Sequence, residues 1–240
     1  MFPERGFEDR AAGWLAWART PDHDAYWDYR DQFFDGIVPR PGRRTLEIGC
    51  GEGRVSRDLR RRGHSLTATD VSPTLVTAAQ TADPEGRYMV ADATGLPFKE
   101  GEFDLVVAYM VLMDVEDMTA AVREAARVLE SGGFLCVGIT HPLADAGAFE
   151  SREPDAPFTI TGSYQDTRRI AVPMARNGLA FTFTGWAYPF EAYARAFESA
   201  GLLIERLREP APPDRTLGAD PSKRRWQRIP CFLFMRCRKG

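Results

Sequence analysis

Between residues 44 and 139, short apolar segments alternate with amphipathic ones. Arg44–Gly49, Ser65–Asp70, Tyr88–Val90, Phe103–Tyr109 and Phe134–Ile139 read as strands. Arg54–Arg62 reads as a helix ended by Gly63, and Thr74–Thr81 as a second, with Ser72 as N-cap and Pro73 at the first helical position. Met118–Leu129 is a third, closed by Ser131-Gly132-Gly133. Parallel neighbours need long crossover connections, and helices are the usual crossover. The rhythm therefore predicts an α/β fold: a Rossmann-like, doubly wound, mostly parallel sheet with helices on both faces. Phe103–Tyr109 is almost continuously apolar, as a strand covered on both faces must be.

The flanks have a different texture. Residues 7–36 carry Trp14, Trp17, Tyr26, Trp27, Tyr29, Phe33 and Phe34, spaced for two short helices broken near Thr20-Pro21-Asp22. After residue 140 the alternation stops, and residues 141–185 hold Gly, Pro, Thr and β-like pieces such as Phe181–Thr184. Phe190–Ala200 resumes as a helix, Leu202–Leu207 as a strand, residues 209–222 as a Pro-rich loop and Ile229–Cys237 as a final strand. The expected organisation is one domain over residues 1–240. It comprises an N-terminal helical lid (1–40), a ligand-binding core (41–140), a lid-like substrate-side insertion (141–188) and a C-terminal helix with strands (189–240).

Composition excludes several classes. Lys plus Arg is 31 against 34 Asp plus Glu, a net charge of −3, without the basic excess of a nucleic-acid binder. Arg60–Arg62 and Lys223–Arg225 read as solvated surface. Cys50, Cys136, Cys231 and Cys237 form no C-x-x-C pair, which predicts neither a zinc site nor a disulfide framework, and a reducing, cytoplasmic setting. No apolar run approaches the ~18 residues of a membrane span. No metal-binding motif appears, so none is expected to be needed.

The chemistry centres on Glu47-Ile48-Gly49-Cys50-Gly51-Glu52-Gly53, between a predicted strand and a predicted helix. Glycines let the backbone pass close to a ligand, and a helix start offers free N–H groups. The spacing is G-x-G-x-G with Arg54 following, not the G-x-G-x-x-G of a dinucleotide site, which disfavours a nicotinamide oxidoreductase. Asp70 ends the second strand, where a carboxylate commonly accepts ribose hydroxyls, and Asp92 follows the third. Each acid alone is equally well explained as a cap or turn residue. The loop and both acids, in order and at strand ends, define a ligand site outside the carboxyl edge of the sheet.

Five blocks resemble the class I S-adenosylmethionine-dependent methyltransferases of small-molecule type: Glu47–Gly53, Asp70, Ala91-Asp92-Ala93 with Leu96-Pro97-Phe98, Phe103–Val107, and Arg127–Gly133. The resemblance implies a seven-stranded sheet whose last strand is antiparallel. It implies S-adenosylmethionine as methyl donor, S-adenosylhomocysteine as product, and a small-molecule acceptor methylated on oxygen or nitrogen, with natural-product tailoring a setting by analogy. On this reading Gly49, Cys50, Gly51 and Gly53 pass under the methionine part and Glu47 holds the loop or reaches the amino group. Asp70 takes the ribose, Val71, Asp92 and Ala93 surround the adenine, and Tyr109 and Met110 line the donor. A module that binds the donor without transferring methyl is the alternative. On the acceptor side, Tyr26, Trp27 and Tyr29 are candidates for an aromatic lid, or for plain helix packing. His141 is the candidate general base, or else a turn residue. Trp186 and Tyr188 are pocket candidates, because the His-Arg pair that related enzymes place near this point is missing.

Overall fold

The computed structural model describes residues 7–20, 23–176 and 178–240. A 3-10 turn at Glu8–Arg10 runs into α1 (Ala11–Arg19), and α2 (Tyr26–Gly36) follows. Then come β1 (Arg44–Ile48), α3 (Arg54–Arg61), β2 (Ser65–Asp70), α4 (Pro73–Ala82), β3 (Arg87–Val90), β4 (Phe103–Tyr109), α5 (Met118–Val128) and β5 (Leu129–Thr140). The expected cap of α4 is present: Ser72 Oγ accepts from the Leu75 N–H at 3.2 Å, with Pro73 inside the first turn.

After β5 the insertion folds as a one-turn helix α6 (Pro142–Asp145), a short hairpin β6 (Gly147–Phe149) with β7 (Phe158–Ile160), and a longer hairpin β8 (Arg168–Arg176) with β9 (Leu179–Ala187). Pro173 lies within β8, which is tolerated because β9 is its only neighbour. The chain closes with α7 (Phe190–Ser199), β10 (Leu202–Arg208), α8 (Asp214–Ala219), a 3-10 segment at Pro221–Gln227 and β11 (Phe232–Lys239).

The main sheet has seven strands in the order β10-β11-β5-β4-β1-β2-β3. The pairs β1–β2, β1–β4, β2–β3 and β4–β5 are parallel, while β11 runs antiparallel to both β5 and β10. The last strand is thus antiparallel, as expected. Alternation along β4 supplies both cores: Val106 and Ala108 face one side, with Ala121, Val122 and Phe197, whereas Leu105 and Val107 face the other, with Phe33, Ile37, Leu59 and Phe234. Burial of all these side chains is what makes the strand read as uninterrupted apolar sequence.

Three boundaries differ from the sequence expectation. β5 begins at Leu129, which pairs with Phe103 before a register shift brings Phe134 opposite Leu105. Residues 209–222 are not plain loop: Asp28 on α2 accepts Thr216 Oγ1 at 2.7 Å and Lys223 Nζ at 2.6 Å, a tertiary anchor that organises α8 and the 3-10 segment. The final strand starts at Phe232, three residues later than expected. Among the described residues no helix is long and apolar enough to cross a membrane.

Two sequence blocks that lie thirty residues apart meet in this fold. Arg127 donates to the carbonyls of Phe98 (2.8 Å) and Leu96 (2.9 Å), and Glu124 accepts the Leu96 N–H at 2.9 Å. Arg127 and Glu124 also pair with each other at 2.7 Å. The segment that leads from β3 into β4 has no helix of its own, and α5 holds it by its backbone. Arg127→Met is expected to lose both carbonyl contacts and lower stability by about 1–3 kcal/mol, measured as a reduced urea midpoint at unchanged slope.

Candidate active site

β1 ends in a turn that ordinary residues cannot make. Gly49, Gly51 and Gly53 hold φ of 69°, 55° and 83°, the left-handed region. At Gly49 the space is closed as well: an added Cβ would collide with the Val111 side chain, which belongs to the loop after β4. Gly51 donates its N–H to Asp70 Oδ2 at 2.8 Å, and Ser72 donates its own to Asp70 Oδ1 at 2.9 Å. Asp70 therefore clamps the glycine loop to the end of β2, while each oxygen keeps a lone pair for a further donor. Burial raises its pKa against the pull of those two amides.

Glu47 sits beneath the loop, 1% exposed, and accepts the Ser56 hydroxyl of α3. Burial pushes its carboxyl up to about 8, partly offset by the Ser56 bond. Glu52 is also buried; Arg57 pairs with both its oxygens at 2.9 Å and Arg19 reaches it at 3.4 Å, which ties the loop to α3 and α1. Cys50 is buried, and its N–H donates to Thr69 O at 2.9 Å. At the neighbouring strand ends Val71 is 55% exposed, Asp92 turns the chain by accepting the Thr94 N–H at 2.8 Å, and Ala93 is buried beside it. Met110 holds a positive φ of 55°, rare for a side chain of its size, and so marks a strained turn at the end of β4. The sequence-predicted donor residues thus gather on one edge of the sheet. Tyr109 is the exception: its ring packs in the core against Tyr26, Phe33 and Phe234.

Two features of this edge were not read from the sequence. Arg54, at the start of α3, is 8% exposed; its guanidinium lies 5.1 Å from the Trp14 ring and 4.6 Å from the Tyr26 ring, and Asp24 pairs with its Nη2 at 3.1 Å. Among the described residues its Nη1 is buried without a partner. An open guanidinium nitrogen where the helix also presents free amides suits a carboxylate. The second feature is Trp14: its indole Nε1 would stand 3.2 Å from a Cβ at Gly51, so the ring lies over the glycine loop. Trp14 and Trp17, three apart on one face of α1, pack on Phe183 of β9 at 6.1 and 5.8 Å. That spacing was the available signal for a cover over the site.

The aromatic side chains over the glycine loop therefore come from α1 packed on β9, and the aromatic cover expected from α2 is corrected. Tyr26 is buried with its hydroxyl on Asp58 (2.6 Å), Tyr29 is buried against Phe232, and Trp27 faces outward under Arg30. Tyr26 and Tyr29 follow the packing alternative, and Trp27 lies on the surface. His141 is likewise occupied. Its Nδ1 accepts the Leu143 N–H at 3.1 Å and caps α6, which places the remaining proton on Nε2, bonded to Glu209 at 2.9 Å. Neither nitrogen has a lone pair free for an acceptor proton, so the general-base expectation is not supported by this geometry. Trp186 and Tyr188 stack at 6.2 Å beside the loop after β4, where Trp186 donates its backbone N–H to Met113 O at 2.8 Å and the Tyr188 hydroxyl donates to Glu116 O at 3.2 Å.

Comparison with known proteins places these residues in a family. Residues 46–137 match the family profile described as methyltransferase domain. Residues 46–137 carry the methyltransferase domain that this profile describes. A demethylmenaquinone methyltransferase of Beutenbergia cavernae is 32% identical over 154 residues, 64% of this chain and 58% of that protein. A malonyl-[acyl-carrier protein] O-methyltransferase of Serratia marcescens is 32% identical over 111 residues, 44% of each chain. The chain thus spans roughly half the length of these curated relatives. The crystal structure of an S-adenosylmethionine-dependent methyltransferase from Mesorhizobium loti shares the fold at a TM-score of 0.73 and 23% identity, covering 91% of this chain and 99% of that one. In the methyltransferase domain the glycine loop, Asp70 and the strand-end residues occupy the matched region, whereas Trp14, Arg10 and β9 lie outside it.

Gly49→Ala is expected to strain the turn and displace Val111, weakening adenosyl-ligand binding at least tenfold and lowering stability by about 1–3 kcal/mol, read by calorimetry and urea unfolding. Glu47 makes a pH prediction. Below pH 4.5 its carboxyl is protonated in both states; as pH rises toward about 8 the unfolded chain ionises it while the native state retains the proton. Its contribution to stability is therefore full at low pH and lost across that window. Glu47→Gln should make the fall in unfolding free energy between pH 5 and pH 8 shallower than in the wild type, by about 2 kcal/mol or more.

Proposed function

We propose that the chain transfers the methyl group of S-adenosylmethionine to a small-molecule acceptor. The observation that carries this reading is the left-handed glycine turn clamped by Asp70 and covered by Trp14, with the unpartnered nitrogen of Arg54 beside it. When bound, the sulfonium supplies an already activated methyl group, so the protein's task is positioning. In this reading the glycine loop and Arg54 hold the methionine end, Asp70 accepts ribose hydroxyls with its spare lone pairs, and Val71, Asp92 and Ala93 flank the adenine. Trp14 and the hairpin face close over the loop and exclude water. The acceptor enters between the lid and the loop after β4, past Trp186 and Tyr188, and is methylated on oxygen or nitrogen. Support for an organic acceptor comes from the relatives, one named for demethylmenaquinone and one for a malonyl group on acyl-carrier protein.

Thermal unfolding with S-adenosylhomocysteine, S-adenosylmethionine and NAD in parallel tests the donor. A ligand at a hundred times its Kd adds about 2.7 kcal/mol, roughly 5–10 °C for a chain of this size. Both adenosyl compounds should raise Tm and NAD should not. Asp70→Asn should reduce the affinity for S-adenosylhomocysteine at least tenfold. Equal shifts with NAD, or none with the adenosyl compounds, would remove the reading.

A further inference from the structure

The helix that follows the glycine loop begins without a side-chain cap. Its N-cap is Gly53, which has nothing to offer a first-turn N–H, so α3 presents open amides beside the loop. Arg54 adds a cation at the same point. Its side chain is 9% exposed, and Asp24 pairs with Nη2 at 3.1 Å, while among the described residues Nη1 is buried without a partner. A buried guanidinium nitrogen without an acceptor is destabilising. The acids around it are already matched: Asp24 takes the Tyr26 N–H at 2.8 Å besides Arg54, and Glu52 holds Arg57 at 2.9 Å and Arg19 at 3.4 Å. The open nitrogen is thus suited to an anion that comes from outside the chain.

A second donor is turned to the loop from the other side. The Arg54 guanidinium lies 5.1 Å from the Trp14 ring, and Nε1 is the Trp14 atom that a Cβ at Gly51 would meet, at 3.2 Å. The indole N–H edge therefore faces the glycine loop, across a space kept open because position 51 carries no side chain. An indole N–H donates and never accepts. Trp14 also belongs to the cover: its ring packs on Phe181 at 5.8 Å and Phe183 at 6.1 Å, and a Cβ at Gly13 would touch the Phe181 ring at 3.4 Å. From Phe183, β9 runs to Gly185, where a Cβ would stand 2.8 Å from Met113 O, and Trp186 donates its backbone N–H to that same oxygen at 2.8 Å. The glycine loop, the cover and the loop after β4 are thus joined by one unbroken series of contacts that passes through Trp14.

We infer that Arg54 Nη1 and the indole N–H of Trp14 together grip the carboxylate of the bound donor, and that this grip seats the cover formed by α1 and β9, so that the acceptor pocket is completed only by a donor that carries its carboxylate. The inference rests on the methyl-transfer reading above and extends it from where the donor lies to the order in which the two substrates bind. A carboxylate offers two oxygens. One takes the charge-assisted bond from Nη1 and the other the indole N–H. The indole bond can form only while α1 lies on the loop, so the ligand favours the seated cover by that contact. The adenosine part, held by Asp70 and the strand ends, makes no contact that depends on α1. A nucleoside without the amino-acid tail therefore fills its part of the groove and leaves the cover unsecured. The acceptor binds second, against a wall of Trp186 and Tyr188 that the seated hairpin holds in place.

The experiment uses the full chain and three ligands: S-adenosylhomocysteine, decarboxylated S-adenosylhomocysteine and methylthioadenosine. Affinities are measured by calorimetry, and amide hydrogen exchange of α1 and of the β8–β9 hairpin is followed with each ligand at saturation. S-adenosylhomocysteine should bind tenfold or more tightly than either ligand that lacks the carboxylate, and it alone should slow exchange in both segments. Trp14→Phe keeps a ring against Phe183 and removes the N–H. It should lose most of the preference for the carboxylate and most of the protection of the hairpin, with methylthioadenosine affinity within threefold of wild type. Arg54→Met should do the same, and Arg54→Lys should restore part of the preference. A variant that weakens all three ligands alike has lost packing and not a carboxylate contact, which would overturn the assignment of that residue. In the wild type, where no variant need fold, equal affinity for S-adenosylhomocysteine and its decarboxylated form, or equal protection by methylthioadenosine, would overturn the inference and leave donor binding intact. Failure of all three adenosyl ligands to bind the wild type would instead overturn the methyl-transfer reading on which it rests.

Discussion

The turn between β1 and α3 is the constraint around which the rest of the site is arranged. Three left-handed residues in five reverse the chain so tightly that the loop leaves its own amides facing the end of β2. Asp70 is placed to receive one of them. That single carboxylate, bonded at once to Gly51 and Ser72, fixes the spacing between two strand ends and so the width of the groove between them. Val111 fills the volume that a side chain at position 49 would need, which brings the loop after β4 to the same place. Glu52, held by Arg57 and Arg19, fastens the turn to the helix that follows it and to the helix that covers it.

The cover is assembled from parts of the chain far apart in sequence. α1 precedes the sheet and β9 follows most of it, yet Trp14 and Trp17 interlock with Phe181 and Phe183 in a set of edge-on and tilted contacts. Aromatic pairs of this kind contribute about 0.5–1.5 kcal/mol each beyond their buried area, so the two pieces stabilise one another. The N-terminal turn is pinned separately: Glu8 accepts the hydroxyls of Ser72 and Thr74, at the positive end of α4. Those hydroxyls hold its carboxyl below its ordinary value. The contact lies two residues from Asp70, so the strap and the clamp share one corner of the site.

The sheet was legible because each of its strands carries its own pattern, and the helices because caps such as Ser72 and stops such as Gly63 are local signals. The donor edge was legible for the same reason: glycines and strand-end acids act through the backbone next to them. What sequence could not supply depends on contacts between distant segments. α8 exists because Asp28 holds Thr216 and Lys223, a pairing across nearly two hundred residues. Tyr26 and Tyr29 were as well suited to a lid as Trp14. Only the direction in which α2 packs, with Tyr26 on Asp58 and Tyr29 on Phe232, sends them into the core. Arg54 was visible as a departure from the dinucleotide spacing, but its place between two rings was not.

His141 and Asp70 show why residue type alone is a poor guide to acid–base chemistry. An imidazole titrates near neutrality by nature, which makes a histidine at a strand end an attractive base. Here the fold spends both of its nitrogens, one on an N–H of α6 and one on Glu209, and burial moves it away from the charged form. At Asp70 burial again works against the charged form, but the amides of Gly51 and Ser72 bonded to its oxygens pull the other way. The partners the fold gives each side chain, as much as its residue type, set its role.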